Sequence, residues 1–188
     1  GCTEPVAVAL ASAWAARAAG SFPEAISVYI DKNIYKNGLG VGVPGTGEVG
    51  LYIAAAVGAI GGDPALRLEV LKPITHDDVQ KAKQLIADKK VSVEIQPDAH
   101  EVYVDVIIKT NTGEGRASIR GRHDNVTAVS CDGMPFDVFK EIENTEVTES
   151  VPVDTSSPAI QQFTMKALFD FAESVPIEEI DFLRPVVE

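Results

Sequence analysis

EPVAVALASAWAARAAG, residues 4–20, is the stretch on which the fold turns. Between Pro5 and Ala19 its only charged side chain is Arg17. Thr3 stands where an N-cap belongs, Glu4 and Pro5 suit a first turn, and Gly20 suits the left-handed residue that ends a helix. The run therefore predicts a helix of about four turns, and a helix apolar on nearly every face must be buried. Its many alanines let neighbouring backbone come close. A second run, EVGLYIAAAVGAIGG at 48–62, has no charge from Val49 through Gly62 and predicts another such helix, with Thr46 as its cap. The two can cover each other only in part. Either a sheet or protein beyond this chain must bury the rest.

Working outward, AISVYID (25–31) alternates as a strand does and is followed by a glycine-rich loop, KNGLGVGVPGTG (36–47). LRLEVLK (66–72) reads as a strand. THDDVQKAKQLIADKK (75–90) is an amphipathic helix, with Thr75 and Asp78 at capping-box spacing. VSVEIQ (91–96) and EVYVDVIIK (101–109) alternate at period two, RASIRGR (116–122) is the hairpin partner of the latter, and NVTAVSC (125–131) follows. The expected class is α+β: apolar helices packed with a mostly antiparallel sheet and a β-α-β-β-β-β unit. The expected division is 1–63 (apolar helices and glycine loop), 64–139 (the α+β unit), 140–157 (an acidic linker) and 158–188 (further helices). In that last part Ser157-Pro158 opens a helix with Ile160, Phe163, Leu168 and Phe171 on one side, and IEEIDFL forms a short final one.

Composition narrows the partners. The 188 residues are 45% hydrophobic, enough for a packed core, and 16 basic against 28 acidic residues give a net charge of −12. That field repels phosphate backbones, which argues against nucleic acid. The apolar runs at 5–16 and 49–61 are too short to span a bilayer, and no basic amphipathic stretch marks a membrane surface. Cys2 and Cys131 cannot build a disulfide framework, and nothing resembles a secretory signal, so the cytoplasm is the expected compartment.

Few residues are candidates for chemistry. Gly40, Gly42 and Gly45 match G-x-G-x-x-G, but Pro44 sits inside the motif, Glu69 is too far on for the ribose acid, and no Lys follows as in a Walker loop. Nucleotide binding is disfavoured. Gly45, Thr46 and Gly47 entering a helix would instead offer free N–H groups, a hydroxyl and a helix dipole, a cradle for a carboxylate or phosphate; the alternative is a plain glycine-rich turn. Cys2, at a helix N-terminus, suits a nucleophile or metal ligand, against the alternative of a small buried hydrophobe. Cys131 reads as packing. His76 and His100 fall in polar, exposed settings. His123 and Asp124 could form an acid/base pair, but neighbours on a strand point to opposite faces, which favours a structural role.

Gly-Cys-Thr-Glu-Pro-Val-Ala-Val-Ala-Leu-Ala (1–11), Lys-Asn-Gly (36–38), Val-Pro-Gly-Thr-Gly (43–47), Ala-Ala-Val-Gly-Ala-Ile-Gly-Gly-Asp (55–63), Leu-Glu-Val-Leu (68–71) and the Gly-Arg-His-x-Asn string occur in an order that resembles the L-cysteine desulfidase family, relatives of the iron–sulfur L-serine dehydratase alpha chain. The resemblance implies the N-terminal portion of a cytosolic β-lyase that forms pyruvate and ammonia from cysteine or serine. It implies a [4Fe–4S] cluster in the whole protein, with Cys2 as one ligand and the rest in a missing C-terminal half, so that this piece alone would lack the cluster and be inactive. Lys36, Asn37, Gly45, Thr46 and Gly47 become the expected substrate contacts. The expected partners are a small amino-acid substrate, the missing half and, as an open option, a second protomer. The general base and the choice between cysteine and serine stay open. The competing reading is a non-catalytic amino-acid-binding or regulatory module.

Overall fold

A computed structural model describes residues 3–137, 164–176 and 179 of the chain. The apolar run at the start is helix α1 (Glu4–Ala19), and 13 of its residues are buried, with Glu4, Ala16 and Arg17 partly exposed. Gly20 ends it in the left-handed conformation, as expected. What buries it is a sheet of this same chain. Six strands, β1 (Ala25–Ile30), β2 (Val91–Ile95), β3 (Tyr103–Lys109), β4 (Glu114–Arg120), β5 (Val126–Cys131) and β6 (Met134–Pro135), lie in the order β2-β1-β3-β4-β5-β6. β1 and β2 are parallel, and the other pairs are antiparallel. The fold is α+β.

Register aligns one apolar row across the sheet. Val93, Val28, Val106, Ala117 and Val129 are successive neighbours from β2 to β5, and all are buried. α1 packs along β3, β4 and β5. Gly115 on β4 is its point of closest approach: a Cβ there would stand 1.9 Å from the Ala15 carbonyl oxygen. α3 (Leu51–Gly61) lies beside α1 and reaches β1 and β2, and α4 (His76–Ala87) covers α3. A Cβ on Gly58 of α3 would meet the Ala9 carbonyl oxygen at 2.4 Å. Alanines and glycines thus let two helix backbones and a sheet pack at short range. Of the two coverings that the sequence left open, a sheet of this chain is the one the described residues supply.

The opposite face of the sheet is polar. Asp105 on β3 is buried and accepts from Ser118 Oγ at 2.5 Å, Arg120 Nη2 at 2.9 Å and Arg116, while the Arg120 guanidinium stacks 3.7 Å from the Tyr103 ring centroid. Burial raises this carboxyl, but the bonds from Ser118, Arg116 and Arg120 and the Arg116 charge outweigh it and hold the group below its ordinary value.

Four expectations about elements change. α3 begins at Leu51 rather than at residue 48, and its cap is Gly50, not Thr46. Gly50 has φ 98° and a Cβ on it would be 2.9 Å from the Leu39 carbonyl oxygen, so only glycine fits. Lys36–Gly38, expected as the start of the glycine-rich loop, instead end the short helix α2 (Lys32–Gly38). The expected strand at 66–72 is instead a 3-10 segment, Pro64–Glu69, interrupted by Arg67 with φ 53° and ψ −117°. Finally, β1 from the first expected region is central in the sheet built by the second, so one compact unit, Gly1–Glu146, runs through the boundary expected at 63/64. The second unit, Val147–Glu188, is described through α5 (Met165–Ser174), where Thr164 caps Ala167 N–H at 3.1 Å. The expected linker at 140–157, the helix start at 158 and most of the final IEEIDFL lie outside the described residues.

Candidate functional site

The N-terminal end of α1 is a meeting point. Asp31, buried after β1, accepts from the Asn33 and Ile34 N–H groups at 2.7 and 3.1 Å with one oxygen and from Tyr103 N–H at 2.8 Å with the other. It therefore caps α2 and ties it to β3. This fixes Asn37, whose side-chain amide donates to Glu4 Oε1 at 3.1 Å in the first turn of α1. Lys36 is exposed on the last turn of α2.

The β4–β5 turn reaches the same place. Thr3 Oγ1 and His123 Nδ1 are 2.5 Å apart, donor and acceptor depending on the tautomer. The Thr3 hydroxyl makes no capping bond to α1, so it is committed to the imidazole. Asp124 beside it accepts at one oxygen from Arg67 at 3.0 Å and from Arg122 at 3.1 Å. His123 and Asp124 lie in the β4–β5 turn rather than on a strand, and they bond different partners, Thr3 and the two arginines. Asp124 is spent on guanidiniums, so no base–orienter pair forms with His123.

A hollow of about 390 Å³ is lined by Val6 in the first turn of α1, by Pro44 and Gly45, and by Leu68, Glu69, Leu71 and Lys72. Glu69 and Lys72 pair at 3.1 Å across exposed positions. Arg67 reaches Asp124 from a backbone conformation that L residues rarely adopt, a cost of order 1–3 kcal/mol that the surroundings of this hollow sustain.

The expected cradle is only partly of that form. Thr46 donates to the Val43 carbonyl at 2.8 Å and accepts from Glu48 N–H at 3.0 Å, while Val43 N–H bonds the Glu48 carbonyl at 2.9 Å. The loop is closed on itself, and its hydroxyl is used in doing so. Gly45 and Gly47, with φ 76° and 70°, are its exposed corners, and Gly45 borders the hollow. The G-x-G-x-x-G match leads not into a helix but into a bridge between Gly42 and Val49.

Cys2 lies outside the described residues. Among the described residues no group of three or more His, Cys, Asp or Glu side chains could hold a metal ion. Cys131 is half-buried at the end of β5, opposite Gly115, which touches Ala15 of α1.

Comparison with known proteins places the chain beside longer ones. It is 40% identical over 185 residues to a UPF0597 protein of Chromobacterium violaceum, covering 98% of this chain and 41% of that protein. It is 40% identical over 187 residues to one from Oleidesulfovibrio alaskensis, covering 97% and 41%. A Parabacteroides distasonis UPF0597 protein is 35% identical over 188 residues, covering 100% and 42%. The chain thus spans about two fifths of the length of these relatives. No family model and no solved structure matches. These names correct the expected family. Proteins matching nearly all of this chain are called UPF0597 proteins, a name that states no activity or cofactor, and not L-cysteine desulfidases or L-serine dehydratases. The reading of the chain as the N-terminal part of an iron–sulfur β-lyase falls with that assignment.

Proposed function

We propose that this chain holds a small carboxylate-bearing molecule, such as an amino acid, in the hollow at the N-terminal end of α1. One observation carries the proposal: Val6 in the first turn of α1, Pro44 and Gly45 of the glycine loop and the segment from Leu68 to Lys72, far apart in sequence, line one hollow, while Asn37 and His123 bond to Glu4 and Thr3 at the start of the same helix. The hollow carries one charge of each sign, Lys72 and Glu69. The positive end of α1 adds to the field of Lys72. Glu69 offers a counter-charge for an ammonium group, and Val6, Leu68 and Leu71 offer an apolar floor. The arrangement reads as binding and positioning, because its ionic side chains are already linked to one another rather than set as a nucleophile and base. A cytoplasmic location is proposed on the cysteine content, two residues in 188. Among the described residues, no helix is long and apolar enough to cross a membrane.

Calorimetric titration with serine and cysteine tests the reading. Lys72→Ala removes only an exposed ion pair, so the fold is expected to stand. It should weaken binding at least about ten-fold, or 1.4 kcal/mol. Binding that is unchanged in Lys72→Ala and in Gly45→Val, or no binding to the unmodified chain, overturns it.

A further inference from the structure

Arg67, in the 3-10 segment after α3, and Arg122, in the β4–β5 turn, converge on one atom. Both donate from Nη2 to Oδ2 of Asp124, at 3.0 and 3.1 Å. Two guanidiniums thus share a single carboxylate oxygen, which leaves a positive charge in excess. Glu69, Asp77 and Glu48, by contrast, each pair with one lysine. Asp105 also holds two arginines, but there Arg120 is engaged by the Val104 and Ile119 carbonyls and by the Tyr103 ring. At Asp124 neither guanidinium has another partner among the described residues, and most of the five N–H donors on each are left over. The side chains of Arg67 and Arg122 are 68% and 76% exposed and that of Asp124 is 15% exposed, so an arriving ligand meets the cations before the carboxylate.

We propose that Arg67 and Arg122 together bind the phosphoryl group of a small phosphate monoester. A guanidinium holds an oxyanion through paired N–H donors. Two of them meeting at one point suit a tetrahedral group, whose three terminal oxygens give each fork an edge of its own. A carboxylate has one such edge and satisfies one fork. The surplus charge is local. The chain's net charge of −12 opposes a polyanion such as nucleic acid, whereas a single phosphoryl group lies within the roughly 10 Å over which the arginines are little screened. Asp124 has two effects: it positions both guanidiniums, and its charge competes with the ligand's. Arg67 takes its place there from φ 53° and ψ −117°, a conformation L residues rarely adopt and one that persists where the surroundings impose it. None of Arg67, Arg122 and Asp124 lines the hollow beside Val6, so this site does not rest on the reading of that one.

The test titrates the 188-residue chain, labelled with ¹⁵N, with inorganic phosphate, with glycerol 3-phosphate and, at matched ionic strength, with acetate. Both phosphates should shift the amide signals of Arg122 and His123 and leave Gly45 and Lys72 unmoved. Acetate should bind at least about ten-fold more weakly. Arg122→Gln should weaken phosphate by a similar factor. Asp124→Asn keeps an oxygen for the two arginines and removes the competing charge, so it should strengthen phosphate at least about three-fold. Absence of shifts at Arg122 and His123 up to about 20 mM phosphate overturns the proposal, as does equal binding of acetate or a silent glycerol 3-phosphate. Unchanged affinity in Arg122→Gln, or no gain in Asp124→Asn, also overturns it. Shifts centred on Gly45 and Lys72 do so too, because they assign the anion to the hollow. The titrations of the unmodified chain decide even where a variant fails to fold.

Discussion

Asp105 is the residue whose chemistry is most determined by its neighbours. It is 2% exposed, while the guanidiniums of Arg116 and Arg120 that hold it keep 51% and 35% of their side chains in water. The arginines can therefore be solvated without the carboxylate, but the carboxylate cannot be solvated without them. Replacing it removes charge-assisted bonds worth about 1.5–3 kcal/mol each, screened here by the exposure of the donors. Asp105→Asn should accordingly cost about 2 kcal/mol at pH 7, read from urea denaturation. The pH dependence has a fixed sign. The folded carboxyl sits below its ordinary value, and an unfolded Asp titrates near 3.9. The contribution is complete above that value and is lost as pH falls through the lower folded one. The gap between the unmodified chain and Asp105→Asn should hold from pH 7 to about pH 5 and close below about pH 4. A gap that widened in acid would mean that the carboxyl is instead raised by its burial.

At the scale of elements, the fold depends on how closely α1 approaches its neighbours. Gly115 and Gly58 both face helix backbone at distances no Cβ can share, 1.9 Å from Ala15 and 2.4 Å from Ala9. Backbone cannot yield as a side-chain end can, so α1 must lift from β4 to admit even a methyl group. Gly115→Ala should lose about 3 kcal/mol, the upper end for overpacking, whereas Gly42→Ala, with nothing within 4 Å, should stay within about 0.5 kcal/mol. Thermal unfolding of the two variants side by side checks this, and equal midpoints would count against the close packing. Much at this scale was legible. The all-round apolar pattern of 4–19, the Thr75–Asp78 capping box and the period-two strands at 91–95 and 103–131 are local signals, and the structure has each of them. α2 was not legible because it is only seven residues long, buries Ile34 and Gly38 alone, and is rich in Asn, Lys and Gly. LRLEVLK alternates like a strand, yet the sheet places β1 between β2 and β3 and the segment turns at Arg67 instead.

The whole molecule explains why the site was harder to read than the fold. Asn37 and Glu4 are 33 residues apart, Arg67 and Asp124 57, and Thr3 and His123 120. Periodicity reports on neighbours along an element, and none of these pairs shares one. The sequence marked Lys-Asn-Gly, Pro-Gly-Thr-Gly and the Gly-Arg-His-x-Asn string as unusual, but gave no sign of which residues their side chains would meet. Their meeting is a consequence of β1 entering the middle of a sheet whose remaining strands come from residues 91–135. Among the described residues, the buried core of the first unit runs from Val6 to Val129. In the second unit, described through α5, Met165, Phe169 and Phe171 are 82%, 65% and 59% exposed. A chain ending at Glu146 should unfold in one cooperative transition with a midpoint within a few degrees of the 188-residue chain's. Calorimetry of the shortened chain is the direct check: a broad, non-cooperative melt would show that residues 147–188 contribute to the core after all.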